Sequence, residues 1–469
     1  MKIEQIYTGC LAQGAYYIES NGEVAIIDPL REVQSYIDKA NQAGAKIKYI
    51  FETHFHADFV SGHVTLAEKT GAKIVYGPTA NPKFDAHIAT DGEVFKLGDI
   101  EIVALHTPGH TMESTTYLLK DTTGKNHAIF SGDTLFLGDV GRPDLAQKAA
   151  NMTQEQLAAT LFHSLRDKIM PLEDEVIVYP AHGAGSACGK NLSKETVGTL
   201  GEQKKTNYAL RADMTEVEFV KEVTDGLLPP PAYFPENVRL NKEGYPSIDS
   251  VLNKNQAFSS EEFKRAADDA LILDVRDADS FAKEHIPGSI FIGIDGGFAP
   301  WVGALIPDIQ QNIVLVTPEG REQETITRLA RVGYDNTLGY LKGGIEQWKK
   351  DGMQTDSIQR ITAAQLEEIY NEGKQPIIDV RKPGEYNSAH VTKVPNIPLD
   401  YINEHIADFP EKETTYLHCA GGYRSMIAAS ILKARGYHNM IDVIGGFGQI
   451  KTTQLPIETQ ACVSSCSTK

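Results

Sequence analysis

Short apolar, β-branched runs alternate along this chain with stretches whose apolar positions recur at helical spacing. In the first half the pattern predicts strands over 23–28, 46–52, 73–76, 100–105, 127–131 and 175–179, with helices over 33–43, 60–70 and 153–168. Further on, the pattern repeats itself. Ile272-Leu273-Asp274-Val275-Arg276 is matched by Ile377-Ile378-Asp379-Val380-Arg381, an offset of 105 (379 − 274), and His285-Ile286 by His390-Val391 at the same offset. Gly343-Gly344 is matched by Gly445-Gly446 after 102 positions (445 − 343). Solenoid repeats run about 20–50 residues, so copies of this size are domains. Strand and helix signals alternate within each copy, which predicts a parallel sheet with helices on its faces. Pro229-Pro230-Pro231, followed by Pro235, reads as a stiff, extended connector. The expected domains are 1–240, 245–355 and 356–455, followed by a flexible tail over 456–469.

A chain of 469 residues exceeds what one hydrophobic core serves, in keeping with several domains. The formal net charge of -18 repels phosphate backbones and anionic lipid, so nucleic acid and membranes are not expected partners. The N-terminus lacks a basic start and apolar run, and no stretch approaches the roughly 18 apolar residues of a membrane span. The five cysteines are odd in number and scattered, which points to free thiols in a reducing, cytoplasmic setting.

Four strand-end loops carry ligand-type side chains: Thr53-His54-Phe55-His56-Ala57-Asp58-Phe59, Pro108-Gly109-His110, Gly132-Asp133 and Ala181-His182-Gly183. A lone histidine is more often structural. Four such loops in this order point to a metal. These motifs resemble the metallo-β-lactamase superfamily over residues 1 to about 235. That resemblance implies an αββα sandwich, in a chain of the α/β class. The zinc hydrolases of that superfamily carry His-x-His-x-Asp-His and bind two metals. Here Phe59 stands where the last histidine would be, which costs the second metal a nitrogen ligand.

The persulfide dioxygenase branch of the superfamily holds one metal through residues that map onto His54, His110 and Asp133. The resemblance therefore implies one Fe(II) per chain in a two-histidine, one-carboxylate set that leaves positions open for substrate and O₂. It implies oxidation of the terminal sulfur of a low-molecular-weight thiol persulfide to sulfite, with the parent thiol released. His56, Asp58 and His182 are then supporting groups around the ligands. Arg142, in Gly141-Arg142-Pro143-Asp144, either holds the anionic thiol carrier or forms a surface ion pair. Cys188 reads as an inert buried thiol or as a sulfane-carrying thiol at the metal entrance, and Cys10 as a core residue.

In the last domain a strand runs into Cys419-Ala420-Gly421-Gly422-Tyr423-Arg424-Ser425, and a helix follows. Gly421 and Gly422 let the loop curl around Cys419 with its amides inward, and the helix N-terminus favours a thiolate or persulfide there. Arg424 offers a planar fork to a sulfonate-like acceptor, and Ser425 adds a hydroxyl. With Asp379-Val380-Arg381, this resembles the rhodanese family. Four residues separate Cys419 from Arg424, where the related phosphatase loops have five. Aligned on Gly333-Tyr334, the earlier copy places Val316 opposite Cys419 and Arg321 opposite Arg424. No cysteine occurs between Cys188 and Cys419, so that copy is an inactive pseudo-rhodanese.

The whole order resembles a persulfide dioxygenase–sulfurtransferase fusion, in which sulfite accepts sulfane sulfur from a Cys419 persulfide to give thiosulfate. Cys462 and Cys466 read as solvated thiols of the tail or as a swinging sulfur shuttle. Self-association is expected from the inactive domain. Two other readings are a dinuclear-zinc hydroxyacylglutathione hydrolase-type thioesterase and a non-catalytic sulfur carrier.

Overall fold

In the computed structural model, which describes residues 1–190, 192–227, 229–373 and 375–459, two six-stranded sheets form the first half. The first runs β1 (Lys2–Thr8), β2 (Gln13–Ser20), β3 (Glu23–Ile27), β4 (Lys46–Phe51), β5 (Lys73–Tyr76) and β6 (His87–Ile88) in spatial order. β1 to β3 pair antiparallel, and β3 to β6 pair parallel. The second comprises β7 (Val94–Leu97), β8 (Ile100–His106), β9 (Thr115–Lys120), β10 (Asn126–Gly132), β11 (Ile177–Pro180) and β12 (Gly198–Thr199), again in sequence order across the sheet. These strands pair antiparallel except β10 with β11, which run parallel.

Tyr16, Ile18, Ile27 and Phe51 of the first sheet share one buried cluster with Phe95, Ile102, Tyr117 and Phe130 of the second, so the sheets stack face to face. The outer face of the first sheet, with Tyr17, Ile26 and Ile50, is covered by Tyr36 and Leu66 from helices Gln34–Gln42 and His63–Thr70. The outer face of the second is covered by Leu161, Leu200 and Phe219 from helices Gln154–Ser164, Leu200–Thr206 and Glu216–Thr224. This is the expected αββα sandwich. With both faces covered, β3 is apolar from Val24 to Ile27 rather than alternating, which is why it reads as a continuous run.

The proline run does not end this unit, which extends over Met1–Val251 and takes in Thr327–Tyr334. Pro235 stands in the first turn of helix Phe234–Glu243, where its missing N–H is harmless. Asn241 of that helix donates from Nδ2 to the carbonyls of His56 and Phe59, both at 2.8 Å, so residues past 240 hold the metal-motif loop.

The second unit holds both repeat copies except Thr327–Tyr334. The first copy has β13 (Gln256–Phe258), β14 (Leu271–Asp274), β15 (Ile290–Phe291), β16 (Ile313–Val316) and β17 (Thr337–Leu341), all parallel in the order β13-β17-β16-β14-β15. The second has β18 (Arg360–Ile361), β19 (Ile377–Asp379), β20 (Ala389–Val391), β21 (Thr415–His418), β22 (Met440–Val443) and β23 (Ile457–Thr459). Four of these form a parallel sheet ordered β18-β22-β21-β19, and β20 pairs with β23.

The repeated residues turn out to be scaffolding. Arg381 grips Asp379 with Nε and Nη2 and donates from Nη2 to the Ala389 carbonyl at 2.8 Å. Arg276 does the same with Asp274 and the Glu284 carbonyl. His285 stacks on Phe281 at 4.1 Å and His390 on Tyr386 at 3.9 Å, each four residues back. The strand register corrects one alignment. Asp274 pairs with Val316 and Asp379 with His418, so Thr317, not Val316, occupies the place of Cys419. Cys10, expected in the core, is half-buried. Cys462 and Cys466 lie outside the described residues. Among the described residues no helix is long and apolar enough to cross a membrane.

Candidate metal centre and cysteine loop

The loops that follow β4, β8, β10 and β11 converge on one chamber. Strand β10 ends at Gly132, whose φ is +53° and where a β-carbon would stand 2.6 Å from Thr53 Cβ. Glycine there lets the two sheet ends close up and brings Asp133 beside the His54 loop. One ligand atom each from His54, His110 and Asp133 lies within 4.8 Å of the others, and all three residues are buried. Asp133 Oδ2 is 3.4 Å from His110 Nε2 and 3.9 Å from His54 Nε2. Both Asp133 oxygens are buried with no hydrogen-bond partner, a state that costs free energy unless a cation is supplied. The donor set fits a divalent ion.

The far ring nitrogens fix the tautomers. His110 Nδ1 sits 2.8 Å from the Arg142 carbonyl, which can only accept, so the proton is on Nδ1 and the Nε2 lone pair is free. His54 Nδ1 faces Thr53 Oγ1 at 3.0 Å. That hydroxyl gives its proton to Asp28 Oδ2 at 2.9 Å, so its oxygen receives Nδ1–H. Burial first, then the neighbouring imidazoles, hold the His54 pKa well below its ordinary value, which keeps the ring neutral and ligand-ready.

His56 lies 3.1 Å from Asp28 through Nε2 and 3.5 Å from Glu52 through the same atom. Burial opposes its charged form, but the two carboxylates outweigh this and raise its pKa well above the usual value. Phe59 is fully buried with its ring centroid 4.4 Å from that of His56. Asp58 Oδ2 stands 3.5 Å from His182 Nε2, which is also 3.5 Å from Asp133 Oδ1. His56, Asp58 and His182 also bring ligand atoms within 4.8 Å of one another, and the sulfur of buried Cys188 joins Asp133 and His182 in a further such group. Burial, with Asp58 and Asp133, pushes this thiol well up, so it is a thiol rather than a thiolate when no cation is near. Arg142 grips Asp144 with Nε at 2.9 Å and Nη2 at 2.7 Å and is only 7% exposed, so the pair is an internal clamp, not a surface ion pair.

Asp28, Glu52 and Thr53 were not singled out from the sequence. Their only signal is position: an acid or hydroxyl at the end of a buried strand, next to the histidine motif.

In the second unit, strand β21 delivers Cys419 to a tight loop. Gly446 has a φ of +52°, and a β-carbon there would lie 2.3 Å from the Cys419 carbonyl, which explains the repeated Gly-Gly. Phe447 N–H donates to that carbonyl at 2.6 Å. The Cys419 sulfur is buried and accepts from Gly422 N–H at 3.1 Å and Ser425 Oγ at 3.5 Å. Gly421 is exposed at the loop tip. Arg424 points two nitrogens at Glu385, at 2.6 and 2.8 Å, so the fork expected to meet an acceptor is held by a carboxylate. In the first copy Arg321, which the corrected register sets opposite Tyr423 rather than Arg424, is tied to Glu324 and Asp295.

Comparison with known proteins agrees with this architecture. Residues 8–182 match the model of the metallo-beta-lactamase superfamily, and residues 259–351 and 362–453 match that of the rhodanese-like domain. The chain is 30% identical over 239 residues to the cytoplasmic hydroxyacylglutathione hydrolase of Arabidopsis thaliana, covering 46% of this chain and 91% of that one. It is 29% identical over 231 residues to the mitochondrial persulfide dioxygenase ETHE1 of Bos taurus, covering 48% and 82%. A crystal structure described as a metallo-beta-lactamase from Staphylococcus aureus superposes with a TM-score of 0.64 at 31% identity, covering 73% of this chain and 98% of that one. The chain therefore belongs to the metallo-beta-lactamase superfamily, with two rhodanese-like domains following that domain in the same polypeptide.

Proposed function

We propose that this chain oxidises the terminal sulfur of a low-molecular-weight thiol persulfide with O₂, using one Fe(II) per chain, and passes sulfane sulfur through Cys419 to sulfite, giving thiosulfate. One observation carries the reading. His54, His110 and Asp133 present a complete two-histidine, one-carboxylate set, while in the neighbouring group of His56, Asp58 and His182 the first imidazole also faces Asp28 and Glu52, and Phe59 stands where a further imidazole would be.

Fe(II) in such a set supplies open positions at which a soft sulfur anion and O₂ meet. The protein's own part is to orient. The Arg142 carbonyl and Thr53 aim the two imidazoles, and Asp58 and His182 line the same chamber with a carboxylate and an imidazole. The low-dielectric surroundings strengthen each of these polar contacts. At Cys419 the inward amide of Gly422 and the Ser425 hydroxyl stabilise a sulfur anion. The relatedness to a protein named persulfide dioxygenase and the rhodanese-like domains support this reading. A cytoplasmic setting and self-association are part of the proposal.

The test is O₂ uptake by iron-loaded protein given glutathione, coenzyme A or bacillithiol persulfide, with sulfite and thiosulfate quantified. The expected result is uptake in equal molar amount to the sulfur oxidised. No uptake with any of these persulfides would overturn the proposal.

The relative named hydroxyacylglutathione hydrolase favours a second reading, a thioesterase. That chemistry needs a metal-activated hydroxide, and hydrolysis of a glutathione thioester without O₂ would identify it.

A further inference from the structure

The helix that follows the Cys419 loop, Tyr423–Ala434, is docked on the first copy at two points. The Tyr423 hydroxyl donates to the Gly293 carbonyl at 2.8 Å, and Phe291 N–H of β15 donates to Ser430 Oγ at 2.9 Å. The tyrosine ring fills a notch made of glycine. A β-carbon on Gly296 would stand 2.2 Å from Tyr423 Cζ and 2.6 Å from its Oη, and one on Gly293 would lie 3.2 Å from Cε2. Neither glycine has a positive φ, so what each supplies is room rather than backbone freedom. The Phe291 ring meets the tyrosine edge to face, with centroids 5.8 Å apart.

The same place in the second copy is filled. Ile292 N–H donates to the Asp274 carbonyl and Ile294 N–H to that of Val275, and Ile397 and Leu399 repeat these bonds with Asp379 and Val380. The correspondence, an offset of 105 (397 − 292), sets Pro398 opposite Gly293 and Tyr401 opposite Gly296. These two glycines therefore belong to the copy that receives Tyr423, and the shared fold does not require them.

Tyr423 lies between the two groups that touch the sulfur. Gly422 N–H reaches Cys419 Sγ at 3.1 Å and Ser425 Oγ reaches it at 3.5 Å. An amide stabilises an anion well only when it is already aimed as the charge forms, and the adjacent Gly421 and Gly422 leave this loop soft. We propose that Tyr423 is a positioning residue, seated by Gly293 and Gly296 of the inactive copy, and that this seat holds the Gly422 amide and the Ser425 hydroxyl against the Cys419 sulfur anion. The first copy is then a working half of the sulfur-transfer site. The proposal rests on the sulfur-transfer reading of Cys419.

The charged side chains around the loop are paired independently of the tyrosine: Arg424 with Glu385, Arg381 with Asp379, Arg360 with Asp442, and Asp295 of the notch with Arg321. Burial lowers the pKa of the adjacent His418 and keeps it neutral. Emptying the notch therefore changes the amide contact to the sulfur and leaves the charges around it as they are.

The experiment is the pH profile of Cys419 alkylation by iodoacetamide in the full-length protein, read by mass spectrometry of the Cys419 peptide from about pH 5 to about pH 10. Gly296→Ala drives a methyl into the ring, and Tyr423→Ala removes the ring. Each should raise the pH of half-maximal rate by about one unit and slow alkylation below it by about tenfold, the effect of losing one amide bond to a charged group. Looser access alone would change the plateau rate and leave the midpoint in place. In the Tyr423→Ala background Gly296→Ala should add no further shift, because the two residues act through one contact. Tyr423→Phe, which keeps the ring, should shift the midpoint in the same direction by less, and it serves if the other variants fail to fold. An unmoved midpoint in the folded variants, or shifts that add in the double variant, overturns the proposal. The reagent needs no sulfur donor, so this profile and the persulfide assays fail independently.

Discussion

Thr53 Oγ1 stands 3.0 Å from His54 Nδ1 because its own proton is committed to Asp28, 2.9 Å away. The carboxylate thus sets the tautomer of a candidate metal ligand that it never touches. Asp28 has a φ of +49°, and Thr53 N–H also donates to its Oδ1 at 2.8 Å, so the loop is pinned at both atoms of that side chain.

Removing this support should loosen the metal. Asp28→Asn and Thr53→Val are expected to weaken metal affinity by about 10–100-fold, the usual cost of losing a group behind a ligating histidine. Competition against a chromogenic chelator measures it, and an unchanged affinity in both variants contradicts the assignment.

The Glu385–Arg424 pair gives a pH-dependent term. Arg424 lowers the Glu385 pKa, with burial opposing. A depressed carboxyl contributes stability above its ordinary value of about 4.3, and that stability is lost as pH falls through the folded value. Glu385 is 39% exposed, so the term is expected to be under about 1 kcal/mol. Denaturant unfolding of Glu385→Gln against wild type at neutral and acid pH should show a difference that shrinks on acidification. A difference that grows contradicts the pairing.

The first copy is expected to be inactive for a specific reason. Thr317 occupies the place of the cysteine, and Pro318-Glu319-Gly320 follows where the active loop has Ala420-Gly421-Gly422. Besides the missing thiol, a proline and an acid stand where the other loop has Ala420 and Gly421, while Gly320 keeps the place of Gly422, whose N–H meets the sulfur. Thr317→Cys in a Cys419→Ser background is therefore expected to take up no sulfane sulfur, as read by cyanolysis. Cyanolysable sulfur on the peptide that carries position 317 would show that the thiol alone was missing.

Most of the scaffold was legible because its strands are buried on both faces and so read as apolar runs; the 73–76 strand matches residue for residue. His54, His110 and Asp133 were legible because each follows a strand, and strand ends share an edge. What escaped was set by tertiary contact. Pro235 reads as a breaker, yet it starts a helix whose Asn241 holds the His56 loop. Thr317 escaped because the offset between copies slips from 105 at Asp274 to 102 at Val316, which only the strand pairing reveals. Asp28 and Glu52 are ordinary strand-end acids until the fold faces them with a histidine.

The tether between the two chemistries should be visible in the products. Cys419→Ser is expected to shift product from thiosulfate toward sulfite while O₂ uptake continues, since sulfite loses the sulfur donor that the tether keeps at high local concentration. Ion chromatography of both anions reads this, and an unchanged thiosulfate yield refutes the coupling.

The most direct test of the whole proposal is the metal-to-chain ratio of protein purified from iron- and zinc-supplemented cells, measured together with persulfide-dependent O₂ uptake. A single iron ion per chain with O₂ uptake is the expected result. Two zinc ions per chain, with thioester cleavage and no O₂ uptake, would contradict it.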